Sequence, residues 1–352
     1  MARSKLINKL DSTQPIFVGL DVHKNKWSVC IIHQDEVIES HTIPGDYQPL
    51  KSLLSKYEKF KIYSAYEAGF LGFYLHRYLE QDNINNIVVS PNKIPTEVGN
   101  YVKTDKRDAK KIAFSLSKNL ITGIYIPSIE LSDFRNILRL RSKVTKARVQ
   151  TVNRIKMLLL KQEIKMTQVG LTKRKIEELR NLNLPEHTKF ALDQYIDQLE
   201  LFNKQRTQLQ SRAHCAVMNS QYVNTYKIIN TIPGLGEVTA SMLCFEIGDF
   251  NRFSSGKKLA AYIGLTPREF SSGDNVYKGR ITGQGNKLLR SYLVESSWFL
   301  IGKDPVMKEF YNRIKSNTGS GKKAIIAVAR KLINRIHSIV VNNQCYAIGE
   351  IE

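Results

Sequence analysis

Apolar positions along the first 125 residues switch repeatedly between two spacings. IFVGLDV and WSVCIIH are apolar and β-branched runs split by the polar joint HKNK, which predicts two strands of a hairpin, and VIESHTIP predicts a third. YQPLKSLLSKYEKF carries its apolar residues at helical spacing, KIYSAYEA returns to strand, and GFLGFYLHRYLEQDN to helix. NIVVSP is a short strand stopped by Pro91, and TDKRDAKKIAFSLSKN is a helix with Thr104 or Asp105 at its cap.

Three strands followed by alternating helices and strands predict an α/β sheet of the RNase H type over residues 1–128. From 129 the period stays helical. Ile137, Leu140, Val144, Ala147, Thr151, Ile155 and Leu158 recur every three or four positions and predict the seam of one long helix. Leu192, Ile196, Leu199 and Phe202 stay in phase over a second stretch, so residues 129–220 read as a helical, coiled-coil arm. Residues 221–352 read as a mainly helical domain. Its opening, KIINTIPGLGEVTA, resembles a helix-hairpin-helix, where Gly234 and Gly236 would bring backbone amides close to a phosphate; an ordinary turn between helices is the alternative.

Charge changes the picture. Lys and Arg number 53 against 32 Asp and Glu, a formal net charge of +21, which points to a polyanion partner. Residues 131–180 hold 14 Lys or Arg and 4 Asp or Glu; residues 251–340 hold 17 and 5. Arg135, Arg139, Arg141, Arg148 and Lys156 on the arm, and Arg268, Lys278, Arg280, Lys287 and Arg290 beyond it, are the expected nucleic-acid contacts. The four cysteines form no CxxC pair and have no histidine at zinc spacing, so neither a disulfide framework nor a zinc site is expected. No run has the length of a membrane span and the N-terminus has no apolar signal core, so a cytoplasmic, nucleoid-associated protein is expected.

Against this basic background four acids stand out. Asp21 ends the first strand, Glu67 ends IYSAYE, and Asp105 and Asp108 are three apart on a helix and share a face. A basic surface attracts an anion that an acidic pocket repels, and divalent cations resolve the conflict, since carboxylate and phosphate oxygens are both hard ligands. Two Mg²⁺ ions roughly 3.5–4 Å apart would clamp the attacking and leaving oxygens of a phosphodiester. His23, two residues past Asp21, is either a ligand or proton shuttle or, as expected here, a hairpin residue near the surface. In GLTPREFSSG, Ser271 and Ser272 precede Gly273 in an expected loop; no GxSxG elbow accompanies them, and on their own they read as turn residues.

GLDVHK, YEAG, KTDKRDA, IPGLGEVTA, the F-x-S-x-K-x-L-A-A-Y-I-G-L-x-P string, S-G and G-N-K-L-L-R occur here in one order. With them, nearly the whole chain resembles the DEDD-type transposases of bacterial insertion sequences, in the one-hundred-and-ten family of bridge-RNA-guided recombinases. The resemblance implies that Asp21, Glu67, Asp105 and Asp108 are the metal-binding tetrad of a RuvC-like domain. It implies that Ser272, or its neighbour Ser271, is a nucleophile forming a covalent phosphoserine link to DNA. It implies donor and target DNA as substrates, a structured noncoding RNA supplying sequence choice, and a homo-oligomer, dimer or tetramer, assembled through the arm. The rival expectations are a RuvC-like Holliday-junction nuclease using metal-activated water, with Ser272 structural, and a non-catalytic nucleic-acid-binding protein. An ATPase of the actin type lacks a phosphate-cradling glycine run.

Overall fold

The computed structural model describes residues 10–95, 104–166, 171–272 and 275–349, with the side chains of 269–278 excepted. The chain divides into two compact units, residues 1–126 and 127–352.

The first unit is built on five strands: β1 (Ile16–Val22), β2 (Lys26–His33), β3 (Glu36–Pro44), β4 (Ile62–Glu67) and β5 (Asn85–Val89). Their order is β3-β2-β1-β4-β5. β1 and β2 pair antiparallel, as do β2 and β3, whereas β4 runs parallel to β1 and β5 parallel to β4. Such a mixed sheet needs cover on both faces where its strands are parallel. Helices α1 (Tyr47–Leu54) and α2 (Tyr74–Gln81) close one face over Ile16, Val18, Leu20, Trp27, Val29 and Ile31. Helix α3 (Asp105–Ser117) closes the other, where Ala109 and Ala113 pack on Cys30 and Ile32, and Ile112 and Leu116 pack on Ala65 and Val89. Double cover explains why β2 is buried from Trp27 to His33 instead of alternating.

The spacing between α3 and β1 depends on Gly19. A Cβ there would sit 2.1 Å from the Ala109 carbonyl oxygen and 2.4 Å from the Ala113 nitrogen. The sheet presents no side chain and the helix presents two alanines, so the two backbones touch.

The second unit is mainly helical. Helix α4 (Ile129–Leu160) packs against α6 (Glu186–Met218), with the short α5 (Lys173–Arg180) between them in sequence. The long pair is antiparallel: Arg141 bonds Gln210, and Arg148 bonds Asn203. Val152, Ile155 and Leu159 meet Ile176, Leu179, Leu192, Ile196 and Leu199 in one cluster. The buried line on α4 runs through Leu131, Leu138, Val144, Thr151, Ile155 and Leu159; Leu140, expected in the seam, is 49% exposed. A straight helix drifts against a fixed seven-residue repeat, and the choice between neighbouring leucines goes to whichever faces the partner.

The remaining elements are α7 (Val223–Asn230), α8 (Glu237–Ile247), α9 (Gly256–Ile263), β6 (Pro267–Ser272), β7 (Asn275–Ile281), α10 (Lys287–Leu300), α11 (Pro305–Thr318) and α12 (Gly321–Val341). Helix α8 is buried from Thr239 to Ile247 at the centre of this unit. Within it Glu246 is 2% exposed. Arg139 forks its carboxylate at 2.7 and 2.8 Å, and the Asn286 amide donates to it at 2.9 Å while the Asn286 Oδ1 caps α10. Arg135 donates to the Phe245 and Glu246 carbonyls at 2.8 and 2.9 Å, capping the last turn of α8. One buried carboxylate thus ties α4, α8 and α10 together.

The antiparallel pairing of β6 with β7 corrects the loop expected around the serines: Ser271 pairs with Val276 and Ser272 with Asn275.

Two stability outcomes follow. Gly19→Ala forces Cβ into helix backbone that cannot yield without shifting α3, and is expected to lower the stability of the first unit by about 3 kcal/mol, read by urea unfolding followed through Trp27. Glu246→Ala leaves the buried ends of the Arg139 guanidinium and the Asn286 amide without their common acceptor, and is expected to cost the second unit about 3 kcal/mol in the same measurement followed through Trp298.

Candidate active site

Strand alternation decides which way the first two acids face. Asp21 shares its side of β1 with Phe17 and Gly19, and Glu67 shares its side of β4 with Tyr63 and Ala65. Both sides are the α3 side. The strands are parallel and in register up to Leu20 with Tyr66, so Asp21 and Glu67 are the next residues along at adjacent strand ends.

The other two acids arrive on the first turn of α3. Thr104 caps that helix, its hydroxyl accepting from the Arg107 amide. Asp105 and Asp108 follow in the first turn, where the helix dipole favours negative charge. The Gly19 contact brings α3 down on β1 and so brings this turn towards the strand ends.

Burial pushes the Asp21 carboxyl above its ordinary value, and the charges of Asp105, Asp108 and Glu67 push it further, against the opposing pull of His23. The charged neighbours of Asp21 thus include the other three acids. The tightest convergence includes a residue expected only at the surface: donor atoms of Asp21, His23 and Asp105 lie within 4.8 Å of one another. His23 Nε2 is 3.3 Å from an Asp21 oxygen and 3.6 Å from an Asp105 oxygen. Its signal in the sequence was the D-x-H spacing at the end of a strand, which sets both side chains on one face. His23, Lys24, Asn25, Lys26 and Asp105 line an open depression beside the acids, so cationic side chains border the carboxylates.

A divalent cation fits this donor set. Mutually repelling carboxylates, one of them half-buried with its charged form disfavoured, are what a hard cation relieves. The four acids and His23 could hold one.

Ser272 ends β6, and its side chain, with those of Ser271 and Lys278, lies outside the described residues. Gly234 has a left-handed backbone (φ +86°), and a Cβ there would meet α10 at Phe299 and Leu300, so this glycine serves helix packing; Gly236 is open and precedes α8.

Several expected nucleic-acid contacts are corrected. Arg135 is buried against carbonyls and Arg139 is forked onto Glu246. Arg141 and Arg148 bridge the two long helices through Gln210 and Asn203. Arg290 donates to the carbonyls of Ile263, Gly283 and Gln284, fixing the end of α9. These guanidinium groups are held by acceptors within the fold. Arg268, Arg280 and Lys287 are exposed and Lys156 is half-buried, so they remain open to an external anion.

Residues 18–163 match the DEDD transposase family typified by IS110, and residues 226–312 match the IS116/IS110/IS902 transposase family. A Sinorhizobium fredii chain, y4rJ, named as a transposase, is 28% identical over 90% of each chain. The transposase for insertion sequence element IS1533 of Leptospira borgpetersenii is 27% identical over 69% of this chain and 72% of its own. The pilin gene-inverting protein of Moraxella bovis is 30% identical over 52% of this chain and 58% of its own.

The Asp21 shift has a sign that can be measured. A carboxyl raised above its unfolded value favours the fold fully below that value, and the contribution is lost as pH rises through the native value. Metal-free protein is therefore expected to lose stability as pH rises above the ordinary carboxylate range, and Asp21→Asn to remove that part of the loss. Mg²⁺ is expected to raise the melting temperature of the wild type at neutral pH and to leave Asp21→Asn nearly unmoved in the same thermal scan.

Proposed function

The chain belongs to the IS116/IS110/IS902 family of transposases and is a DNA transposase, and from that premise we propose that it exchanges DNA strands with Asp21, Glu67, Asp105 and Asp108 holding Mg²⁺ and Ser272 as nucleophile. The observation that carries this reading is geometric: Asp21 and Glu67 sit at adjacent strand ends, Asp105 and Asp108 sit on the first turn of α3, and donor atoms of Asp21, His23 and Asp105 lie within 4.8 Å of one another, in a chain of net charge +21. The strand order β3-β2-β1-β4-β5 supports an RNase H-like, RuvC-type unit, whose reactive edge is the set of strand ends carrying Asp21 and Glu67. DEDD membership implies metal-dependent DNA cleavage.

In this reading the carboxylates bind and orient two ions. The bound ions would supply charge neutralisation at the scissile phosphate. Ser272 contributes its Oγ: a bond forms from Oγ to phosphorus, the bond to the leaving deoxyribose oxygen breaks, and the serine proton passes to that oxygen. The energy of the phosphodiester is kept in the phosphoserine, so a new strand end can displace the serine and be joined. Exposed Arg268 and Arg280 lie on β6 and β7, Lys287 follows the hairpin at the start of α10, and all three would hold backbone phosphates.

The resemblance adds a structured noncoding RNA that pairs with donor and target DNA, leaving the protein to read backbone and shape. The antiparallel pair α4 and α6 would be the arm through which copies assemble as a dimer or tetramer.

The test is strand exchange between donor and target DNA with the element's flanking RNA and Mg²⁺. Recombinant product is expected only with the RNA and is expected to vanish on chelation. Ser272→Ala should lower product by roughly a thousandfold or more and abolish a denaturation-resistant protein–DNA adduct, and Asp21→Asn should lower product comparably. Equal product without RNA would remove the guidance. Cleavage by Ser272→Ala at the wild-type rate, with no adduct in either protein, would favour the junction nuclease that uses water.

A further inference from the structure

His23 is not one of the four acids, yet its Nε2 lies 3.3 Å from an Asp21 oxygen and 3.6 Å from an Asp105 oxygen. Asp21 and His23 are two apart at the end of β1, and the His23 Nε2 faces oxygens of both Asp21 and Asp105. An exposed histidine drawn to acids by charge alone would sit on a loop free to move. This one does not. The His23 amide donates to the Lys26 carbonyl at 3.2 Å, and the Gly45 amide donates to the Asn25 carbonyl at 2.9 Å. The indole of Trp27, fully buried, donates to the His23 carbonyl at 3.0 Å. Gly45 also permits close approach, since a Cβ there would lie 2.7 Å from the Lys24 carbonyl. The joint between β1 and β2 is anchored from within the sheet core and from the end of β3, and the imidazole is carried on that anchored backbone.

We propose that His23 is a direct ligand of the cation held by Asp21 and Asp105, supplying the one nitrogen donor of an otherwise oxygen-only set. This rests on the reading of the acidic cluster as a cation site. The ligand is the neutral imidazole with its proton on Nδ1, because the Nε2 lone pair must face the ion. Three donors within 4.8 Å of one another, from a strand end, its following loop and a helix first turn, can share one ion. The chemical consequence is selectivity. Oxygen ligands suit Mg²⁺, while an imidazole nitrogen favours a first-row transition ion, so this site takes Mn²⁺ in preference to Mg²⁺ by more than its carboxylates alone would give.

The test uses the full chain and Mn²⁺ as probe, with binding by calorimetry and the ligand nitrogen read by pulsed electron paramagnetic resonance. Wild type is expected to show imidazole nitrogen modulation on bound Mn²⁺. His23→Gln keeps a neutral side chain and offers an oxygen; it is expected to lose the modulation, to weaken Mn²⁺ on the order of tenfold, and to change Mg²⁺ much less. The side chain is 56% exposed, so the variant keeps its core. If His23→Gln binds Mn²⁺ with wild-type affinity and modulation while Asp21→Asn does not bind, the cation site stands and the histidine assignment falls. If Asp21→Asn also binds as wild type, both the site and the assignment fall.

Discussion

The first unit is organised around a contact between two backbones. Gly19 has no side chain, Ala109 and Ala113 have almost none, and α3 therefore lies directly on β1. Apolar packing alone would hold a helix at a greater distance, with a layer of side chains between. Removing that layer carries the first turn of α3 towards the strand ends, where the acids of β4 and α3 bear on Asp21 of β1. Burial and the neighbouring acids hold the Asp21 carboxyl above its ordinary value, and a cation bound there would relieve that repulsion and stabilise the fold together.

The second unit uses charge in the opposite way. Glu246 is buried and fully engaged, by Arg139 on one side and Asn286 on the other, with Arg135 capping the same helix end. A similar device recurs at Asp304, also buried, which caps α11 through the Met307 amide and accepts from Arg335 and from the Tyr346 hydroxyl. Burial and the bond to Asp304 push that phenol up to about 12. Acids placed among basic helices here fix which helix end meets which.

Much of this was legible in the sequence because it is set by local period. The strands and the two long helices follow from spacing and from where each segment ends. What was not legible depends on which third element arrives. Arg135 stands in phase with Leu131 and Leu138, so its helix position was a buried one, but only the carbonyl end of α8 explains why an arginine is stable there. Arg290 reads as a surface cation until the turn at Gly283 and Gln284 folds over it. His23 reads as a hairpin residue until α3 brings Asp105 to it. The β6–β7 hairpin was missed because Pro267 and two serines suggest a loop, while the turn signal lies one step further on.

The inward use of arginine also bears on how this protein responds to ionic strength. Affinity for a polyanion falls with added salt in proportion to the number of counterions displaced, and only side chains that reach phosphate displace any. Guanidinium groups turned onto carbonyls and Glu246 within the fold, those of Arg135, Arg139 and Arg290, contribute to the isoelectric point but have few donors left to offer a phosphate. The slope of binding against salt concentration will thus report the solvent-facing lysines and arginines and fall well short of what the formal charge suggests.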